Sequence, residues 1–180
     1  MSPVPQQPVP TGEEPGASTP EQPEEIPAGK HVRSYRITIQ APAAELYALV
    51  ADPHRHHEFD GSETVRPRAV GPHRLEQGSR FSVHMKKYGV PYRLPLRVTQ
   101  AVSPAPGRTG VLEWRQPTGH RWRWEFTADD DAGSPRTVVT ESYDASSQNR
   151  LVRTLLGAAG IPAENARSIR ASLQRLRQSF

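Results

Sequence analysis

The sequence of 180 residues contains no cysteine and no uninterrupted apolar run of membrane-spanning length, which is about 18 residues. The first absence excludes disulfide bonds and thiol chemistry, and the second predicts a protein without a membrane span. The patterns G-x-G-x-x-G, G-x-x-x-x-G-K-[ST] and G-x-S-x-G, which mark dinucleotide sites, phosphate loops and serine nucleophiles, are also missing. We therefore expect a cytoplasmic protein without a cofactor, and one that is not an S-adenosylmethionine-dependent methyltransferase.

The first 29 residues contain no lysine, arginine or aromatic residue, but eight of the 19 prolines and five glutamates. This composition cannot bury enough apolar surface to offset the entropy of ordering, so it predicts a disordered tail before one domain at residues 30–180. The tail also lacks the basic start and apolar stretch of a secretory signal.

Positive charge is concentrated in the predicted domain. The whole chain carries a formal charge of +4, whereas residues 30–180 carry +9. A basic surface can attract nucleic acid, anionic lipid or an anionic ligand, but in this arginine-rich chain a plain solvated surface is favoured. We expect no specific nucleic-acid partner.

Two kinds of periodicity organise the domain. Alternating apolar and polar residues between turn signals predict seven strands, at residues 32–40, 64–70, 80–88, 92–102, 110–115, 119–128 and 136–143. Two short helices are predicted after the first strand, at residues 42–51 and 54–59, and another at 151–156. A long C-terminal helix is predicted from the single apolar stripe of Ala166, Ile169, Leu173, Leu176 and Phe180.

The stretch from Gly119 to Phe126 places His120, Trp122, Trp124 and Phe126 on one strand face. A bulky, partly polar inner face suits either a ligand cavity or a dry core, because a buried indole N–H needs a partner. The element order predicts an α+β fold in which a curved seven-stranded antiparallel sheet wraps around the C-terminal helix. A sheet gripping one helix leaves room for a small apolar ligand between them.

This arrangement resembles the helix-grip fold of the START-related SRPBCC superfamily, and the chain is similar to actinobacterial polyketide cyclase/dehydrase and lipid-transport-like proteins. The residues that carry the resemblance are Ala48–Gly61, Tyr88–Arg93, the tryptophans Trp114, Trp122 and Trp124, Thr140–Asp144 and Asn165–Leu176. The resemblance covers about residues 30–178. It implies binding of a small hydrophobic molecule such as a lipid or polyketide, with transport as one use of that binding.

Two other functions stay open. One is a polyketide aromatase/cyclase-type enzyme that uses acid and base residues in the cavity. The other is an interaction module whose basic helix and acidic tail engage a macromolecule, which would show steep salt dependence. The sequence leaves the identity of the ligand and the oligomeric state open.

Eleven residues are candidates for the site. The candidate catalytic residues are His57, Asp60 and Glu141. The candidate ligand-binding residues are Met85, Tyr92, Trp114, Trp122, Trp124, Tyr143, Ile169 and Leu173. Glu141 and Tyr143 share a strand face, but neighbouring Val138 and Thr140 leave open which face points inward.

A metal site is not predicted. His54, His57 and Glu58 have helical spacing that could offer ligands on one face, but no second histidine pair completes a set.

Overall fold

The computed structural model describes residues 22–129 and 133–180. It contains one antiparallel sheet, built from β1 (Glu24–Glu25), β2 (Val32–Ile39), β3 (Val65–Val70), β4 (Arg80–Lys87), β5 (Val90–Val102), β6 (Gly110–Arg115), β7 (Arg121–Ala128) and β8 (Thr137–Asp144). The strand order is β1-β2-β8-β7-β6-β5-β4-β3. The helices are α1 (Ala43–Val50), α2 (His56–Phe59), α3 (Arg150–Ala158) and α4 (Ile161–Gln178), and a 3-10 turn (Pro53–Arg55) precedes α2.

The strands from β3 to β8 form a meander in which each strand pairs with its neighbour in sequence. The β4–β5 hairpin has a two-residue turn, in which Tyr88 and Gly89 have φ angles of 52° and 83°. Two successive positive φ values match the right-handed twist of the flanking strands. A bulge between Val98 and Gln100 shifts the register of β5 against β6 and bends the sheet there.

Helix α4 packs along one edge of the inner sheet face. Its residues Ile169, Leu173 and Leu176 are fully buried in the same core as Ile37 of β2 and Val139 of β8. Helix α1 instead covers β6 and β7. Because α4 contacts β2 and β8, it leaves the inner face of the middle strands open on the side of β4 to β6.

The loop after α2 lies against the middle of α4. A Cβ placed on Gly61 would lie 2.1 Å from the Ser168 carbonyl oxygen and 2.4 Å from the Ser172 nitrogen. The Gly61 N–H also donates to Ser172 Oγ at 2.9 Å. Only glycine permits this approach, which fixes the distance between α2 and α4.

The α+β fold, the single antiparallel sheet and the gripped C-terminal helix agree with the sequence prediction, whereas the predicted strand number is wrong. An eighth strand, β1, lies inside residues 1–29, where a disordered tail is predicted. It pairs with β2 through Glu24↔Arg36 and Glu25↔Tyr35. A two-residue strand of glutamates has no periodicity to detect, and it exists because the β2 edge offers unpaired backbone groups. The rest of that prediction, for residues 1–21, lies outside the described residues.

The helices begin and end close to the predicted positions, but one of them differs from the prediction in helix type. The second short helix is divided into the 3-10 turn and α2. Within the described part of the chain, no helix is both long enough and apolar enough to cross a bilayer.

Candidate functional site

A cavity of about 260 Å³ lies between the open part of the sheet and helices α2 and α4. This volume is near the lower end of ordinary ligand pockets, which range from about 300 to 1,000 Å³. Its wall combines aromatic and aliphatic side chains with a few polar groups. The lining residues used below are Asp60, Met85, Lys87, Tyr92, Trp114, His120, Trp122, Trp124, Glu141, Glu164, Asn165, Ser168 and Ser172.

The three tryptophans form the aromatic part of the wall. Trp114 and Trp122 are direct cross-strand neighbours, and both side chains point inward because the strands alternate. Trp114 stacks on His56, with ring centroids 5.3 Å apart and planes at 26°. His56 is itself fixed by a hydrogen bond between its Nε2 and the Val50 carbonyl at 2.9 Å, so this side of the wall is rigid.

Glu141 is the most deeply buried acid of the cavity wall. It is 4% exposed, and its Oε2 has no hydrogen-bond partner among the described residues. Burial, together with the nearby Asp60 carboxylate, raises the pKa of Glu141 well above its ordinary value. This shift favours the uncharged carboxylic acid, which can donate one hydrogen bond and accept others.

Trp124 lies directly beside Glu141 on the neighbouring strand. Its indole is 1% exposed, and within residues 22–129 and 133–180 nothing accepts a hydrogen bond from its Nε1. Two neighbouring buried polar groups without partners are costly, because each group loses its hydrogen bonds to water. A bound molecule with an oxygen atom between them would satisfy both.

His120 adds a third polar group at the cavity wall. Its Nδ1 lies 2.8 Å from Thr118 Oγ1 and 3.3 Å from Gln148 Nε2. Because the Gln148 amide nitrogen can only donate, Nδ1 accepts and the neutral ring carries its proton on Nε2. Burial lowers the pKa of His120 to about 4, so the ring stays neutral at physiological pH.

Asp60 lines the cavity, but its carboxylate holds the loop between α2 and β3. Its Oδ2 accepts from the N–H groups of Thr64 and Val65, each at 2.9 Å. Its Oδ1 accepts from the Ser62 N–H at 3.1 Å and from Ser62 Oγ at 2.8 Å. These bonds make Asp60 a loop anchor whose negative charge acts on Glu141 across the cavity.

The open end of the cavity carries an ion pair. Lys87 Nζ at the end of β4 donates to Glu164 Oε1 in the first turn of α4, at 2.6 Å. This hydrogen bond raises the pKa of Lys87. Tyr92, which is 41% exposed, lies in the same part of the wall. The pair links sheet to helix where a ligand would enter.

The structure brings most of the sequence-predicted residues to one cavity. Its wall includes Asp60, Met85, Tyr92, Trp114, Trp122, Trp124 and Glu141. The buried alternative for Glu141 is the observed one, since Val139, Glu141 and Tyr143 are all buried.

Four predicted residues are not part of that wall, and each has a physical reason. Ile169 and Leu173 are fully buried in close contact with the core, so they fill the space under α4 instead of bordering the cavity. Tyr143 lies behind the wall, with its ring 4.9 Å from that of His120, and the Asn165 side chain hydrogen-bonds to its hydroxyl. His57 is half-buried on α2, on a different side from the lining residues His56 and Phe59.

Sequence reasoning missed the polar stripe of α4. Asn165, Ser168 and Ser172 recur at intervals of three and four residues, and together with Glu164 they border the cavity. This spacing was readable as a second helix face, adjacent to the apolar stripe. His120 was also left out of the candidate residues, although its strand face was recognised.

One group of potential metal ligands lies away from the cavity. Ligand atoms of Asp52, His54 and His73 lie within 4.8 Å of one another. They already bond among themselves and to the loop: His73 Nδ1 lies 3.1 Å from Asp52 Oδ2, and His54 Nε2 lies 3.1 Å from the Gly71 carbonyl. The sequence did not indicate this group because His73 comes from a distant loop.

Comparison with solved structures identifies the fold. The ZhuI aromatase/cyclase from Streptomyces sp. R1128 is 17% identical, with a TM-score of 0.51, covering 82% of this chain and 95% of that one. The di-domain ARO/CYC BexL from the BE-7585A biosynthetic pathway is 19% identical, with a TM-score of 0.54, covering 82% of this chain and 46% of that one. At these identities the likeness establishes the helix-grip architecture.

Comparison of sequences establishes the relationship. Uncharacterized protein Rv0088 of Mycobacterium tuberculosis is 41% identical over 157 residues, which are 86% of this chain. The chain spans 66% of the length of that relative, whose source agrees with the actinobacterial type of the resemblance. The profile described as polyketide cyclase / dehydrase and lipid transport matches residues 31–180. The chain therefore belongs to the polyketide cyclase/dehydrase and lipid transport family.

Proposed function

We propose that the protein binds a small, largely apolar molecule carrying an uncharged oxygen group, in the cavity between the sheet and α4. The observation that carries this proposal is the neighbouring pair of Glu141 and Trp124, whose Oε2 and Nε1 atoms are buried and have no hydrogen-bond partner in the described chain. A ketone or hydroxyl oxygen could accept from both groups, while the remaining aromatic wall contacts apolar surface.

The family membership supports the same kind of ligand, because the family is described by cyclase, dehydrase and lipid-transport functions. Carriage of the ligand needs only the cavity and its mouth. The Lys87–Glu164 pair would then open and close as the molecule enters.

Cavity binding can be tested with a neutral fluorophore, N-phenyl-1-naphthylamine, and two matched variants of α4. Ser168→Leu fills the cavity from the helix side, whereas Ala163→Leu adds the same side chain at an exposed position of the same helix. We expect micromolar binding (roughly −8 kcal/mol) to the wild type and to Ala163→Leu, and at least tenfold weaker binding to Ser168→Leu. Equal affinity for all three proteins would show that the probe binds elsewhere.

The oxygen group can be tested with a matched pair of ligands, 2-acetylnaphthalene and 2-ethylnaphthalene. We expect the ketone to bind about tenfold more tightly, because the hydrocarbon leaves buried donors unpaired at a cost of about 1–3 kcal/mol. Glu141→Leu should reduce this preference. Equal binding of the two ligands to the wild type would refute the role given to Glu141 and Trp124.

One observation favours a second candidate, the aromatase/cyclase-type enzyme. Glu141 lines the cavity, and its raised pKa favours the protonated acid, so it could protonate a ketone oxygen as a carbon–carbon bond forms at that carbonyl. Loss of the resulting hydroxyl as water would follow. The test is formation of an aromatic product from a linear poly-β-ketone thioester, which Glu141→Gln should abolish while the neutral fluorophore still binds.

A further inference from the structure

Four arginines form a continuous row across the sheet. The strand register pairs Arg80 with Arg97, Arg97 with Arg115, and Arg115 with Arg121. Each arginine is next in sequence to a residue whose side chain points inward, so all four arginine side chains lie on the outer face of the sheet. With neighbouring strands about 4.8 Å apart, the row is about 14 Å long.

Three of the four arginines in the row have no acidic partner among the residues that the structure describes. Arg80, Arg97 and Arg115 are exposed and make no hydrogen bond or ion pair with any residue the structure describes. Arg121, at the end of the row, forms a long ion pair with Glu113 at 4.0 Å and lies directly opposite Asp144 of β8. Like charges placed directly opposite each other across strands destabilise a sheet. Folding therefore leaves this face with an electrostatic cost.

The same face neutralises a neighbouring arginine. Arg123 lies two residues along β7, and it contacts Glu113 at 3.6 Å, Glu125 at 3.0 Å and Gln100 at 2.8 Å. Acidic partners are therefore available on the outer face of the sheet. Their absence beside Arg80, Arg97 and Arg115 is a local feature, and it cannot be explained by the basic composition of the chain alone.

The row borders a groove and not a flat surface. Arg80, Arg97 and Arg115 line an open groove of about 740 Å³, together with the polar side chains of Gln77 and Thr99. This volume is within the range of small-molecule sites, about 300–1,000 Å³. Leu96 and Gln116 border both this groove and the inner cavity, so the two spaces adjoin.

We propose that this groove is a binding site for a small molecule carrying two or more phosphate groups. Guanidinium groups bind phosphate through two parallel N–H donors, and one phosphate has enough outer oxygens to engage arginines of two adjacent strands. The spacing of the row allows successive phosphates to contact successive arginines. The concave shape and the short row favour a compact ligand over an extended polymer. The site is distinct from the apolar cavity and does not depend on the function proposed for it.

The test is calorimetric titration of the full chain with inorganic tripolyphosphate at 50 mM salt. The informative variant is Arg97→Gln, in the middle of the row. Arg93→Gln is the matched control, because Arg93 is exposed on the same strand and face but outside the groove. We expect micromolar binding to the wild type, a loss of tenfold or more for Arg97→Gln, and less than a twofold change for Arg93→Gln.

Two further measurements sharpen the result. Arg97→Lys keeps the charge but loses the planar fork, and it should bind several-fold more weakly than the wild type if bidentate contacts matter. Both Arg97 variants should bind the neutral fluorophore as the wild type does, which verifies folding and separates this site from the cavity.

Three results would overturn the proposal. One is no binding of tripolyphosphate by the wild type. Another is an equal loss for Arg93→Gln and Arg97→Gln, which indicates diffuse attraction to a basic surface. The last is binding of long polyanions such as heparin without binding of tripolyphosphate, which would make the row a docking surface for a polymer.

Discussion

At the scale of single residues, Glu141 determines what the cavity can recognise. An ionised carboxylate there would bind cations, whereas the protonated acid beside the Trp124 N–H suits a neutral oxygen group. Asp60 also raises the pKa of Glu141, because the carboxylate that anchors the loop disfavours a second negative charge in the cavity. Glu141 and Asp60, two acids of the same cavity wall, therefore have different roles.

The protonation of Glu141 predicts a pH-dependent stability difference. Its folded-state pKa lies above the ordinary value of 4.5, which applies to the unfolded chain. Between pH 4.5 and the folded-state pKa, the folded protein binds a proton that the unfolded chain does not bind, so the free energy of unfolding falls as pH rises. Glu141→Gln removes this term. We expect the variant to gain free energy of unfolding relative to the wild type above about pH 4.5, by about 1.4 kcal/mol per pH unit until Glu141 ionises.

Urea denaturation of both proteins from pH 4.5 to pH 8 measures this difference. Burial also lowers the pKa of His56 to about 4, which costs stability as pH falls below about 6.5. That contribution is present in both proteins and cancels in the comparison. A difference that stays constant with pH would mean that Glu141 is solvated or ionised in the folded protein.

The sequence could place Glu141 on a strand face but could not decide whether that face is buried. Strand β8 carries apolar residues on both faces, including Val138 and Val139. The choice depends on α4 and on Trp124, which approach β8 only in the folded chain. The inward orientation of the tryptophans could be predicted from the sequence, because a strand face with two indole side chains is rarely exposed to water.

At the scale of elements, the contact of Gly61 with α4 sets the position of the helix that closes the cavity. Gly61→Ala would place a methyl group 2.1 Å from the Ser168 carbonyl oxygen. Since backbone cannot yield without moving α4, we expect a loss of about 3 kcal/mol in the free energy of unfolding.

Gly157→Ala on α3 is the matched control. A Cβ there meets nothing within 4 Å, and alanine has the higher helix propensity, so we expect unchanged or slightly higher stability. Thermal denaturation followed by circular dichroism distinguishes the two variants. A Gly61→Ala protein as stable as the wild type would show that α4 is free to move away from α2.

The sequence predicted elements well where periodicity was long and poorly where it was short. The stripe of α4 identified the gripped helix, since four of its five members, Ala166, Ile169, Leu173 and Leu176, are buried. Strand β1 has only two residues and forms through pairing with β2, which no local pattern encodes. The close approach of Gly61 to α4 is equally nonlocal.

At the scale of the molecule, β1 shows that the segment before residue 30 contributes to the fold. Besides its pairing with β2, Glu24 forms an ion pair with Arg36, and Gln22 bonds to Gln174 of α4 at 2.7 Å. We expect a chain that begins at Lys30 to fold but to lose about 1 kcal/mol, or about 3 °C in Tm. Glu24→Gln in the full chain should lose less, because exposed ion pairs contribute little.

Scanning calorimetry of the full chain, a chain that begins at Gln22 and a chain that begins at Lys30 locates the boundary. The first two should melt together if residues 1–21 add nothing to stability. A loss of many degrees at either truncation would show that the acidic segment docks more extensively on the basic domain.

The strand order also has a kinetic consequence. From β3 to β8 each strand pairs with its sequence neighbour, whereas β2 reaches across the chain to place Ile37 beside Val139, about one hundred positions away. Closing so long a loop costs more conformational entropy than forming a local hairpin. The meander can therefore assemble first, and β2 must join while α4 settles on it. Until that late step, α4 does not cover the inner face of β8, so the chain is most prone to self-association before its first long strand is in place.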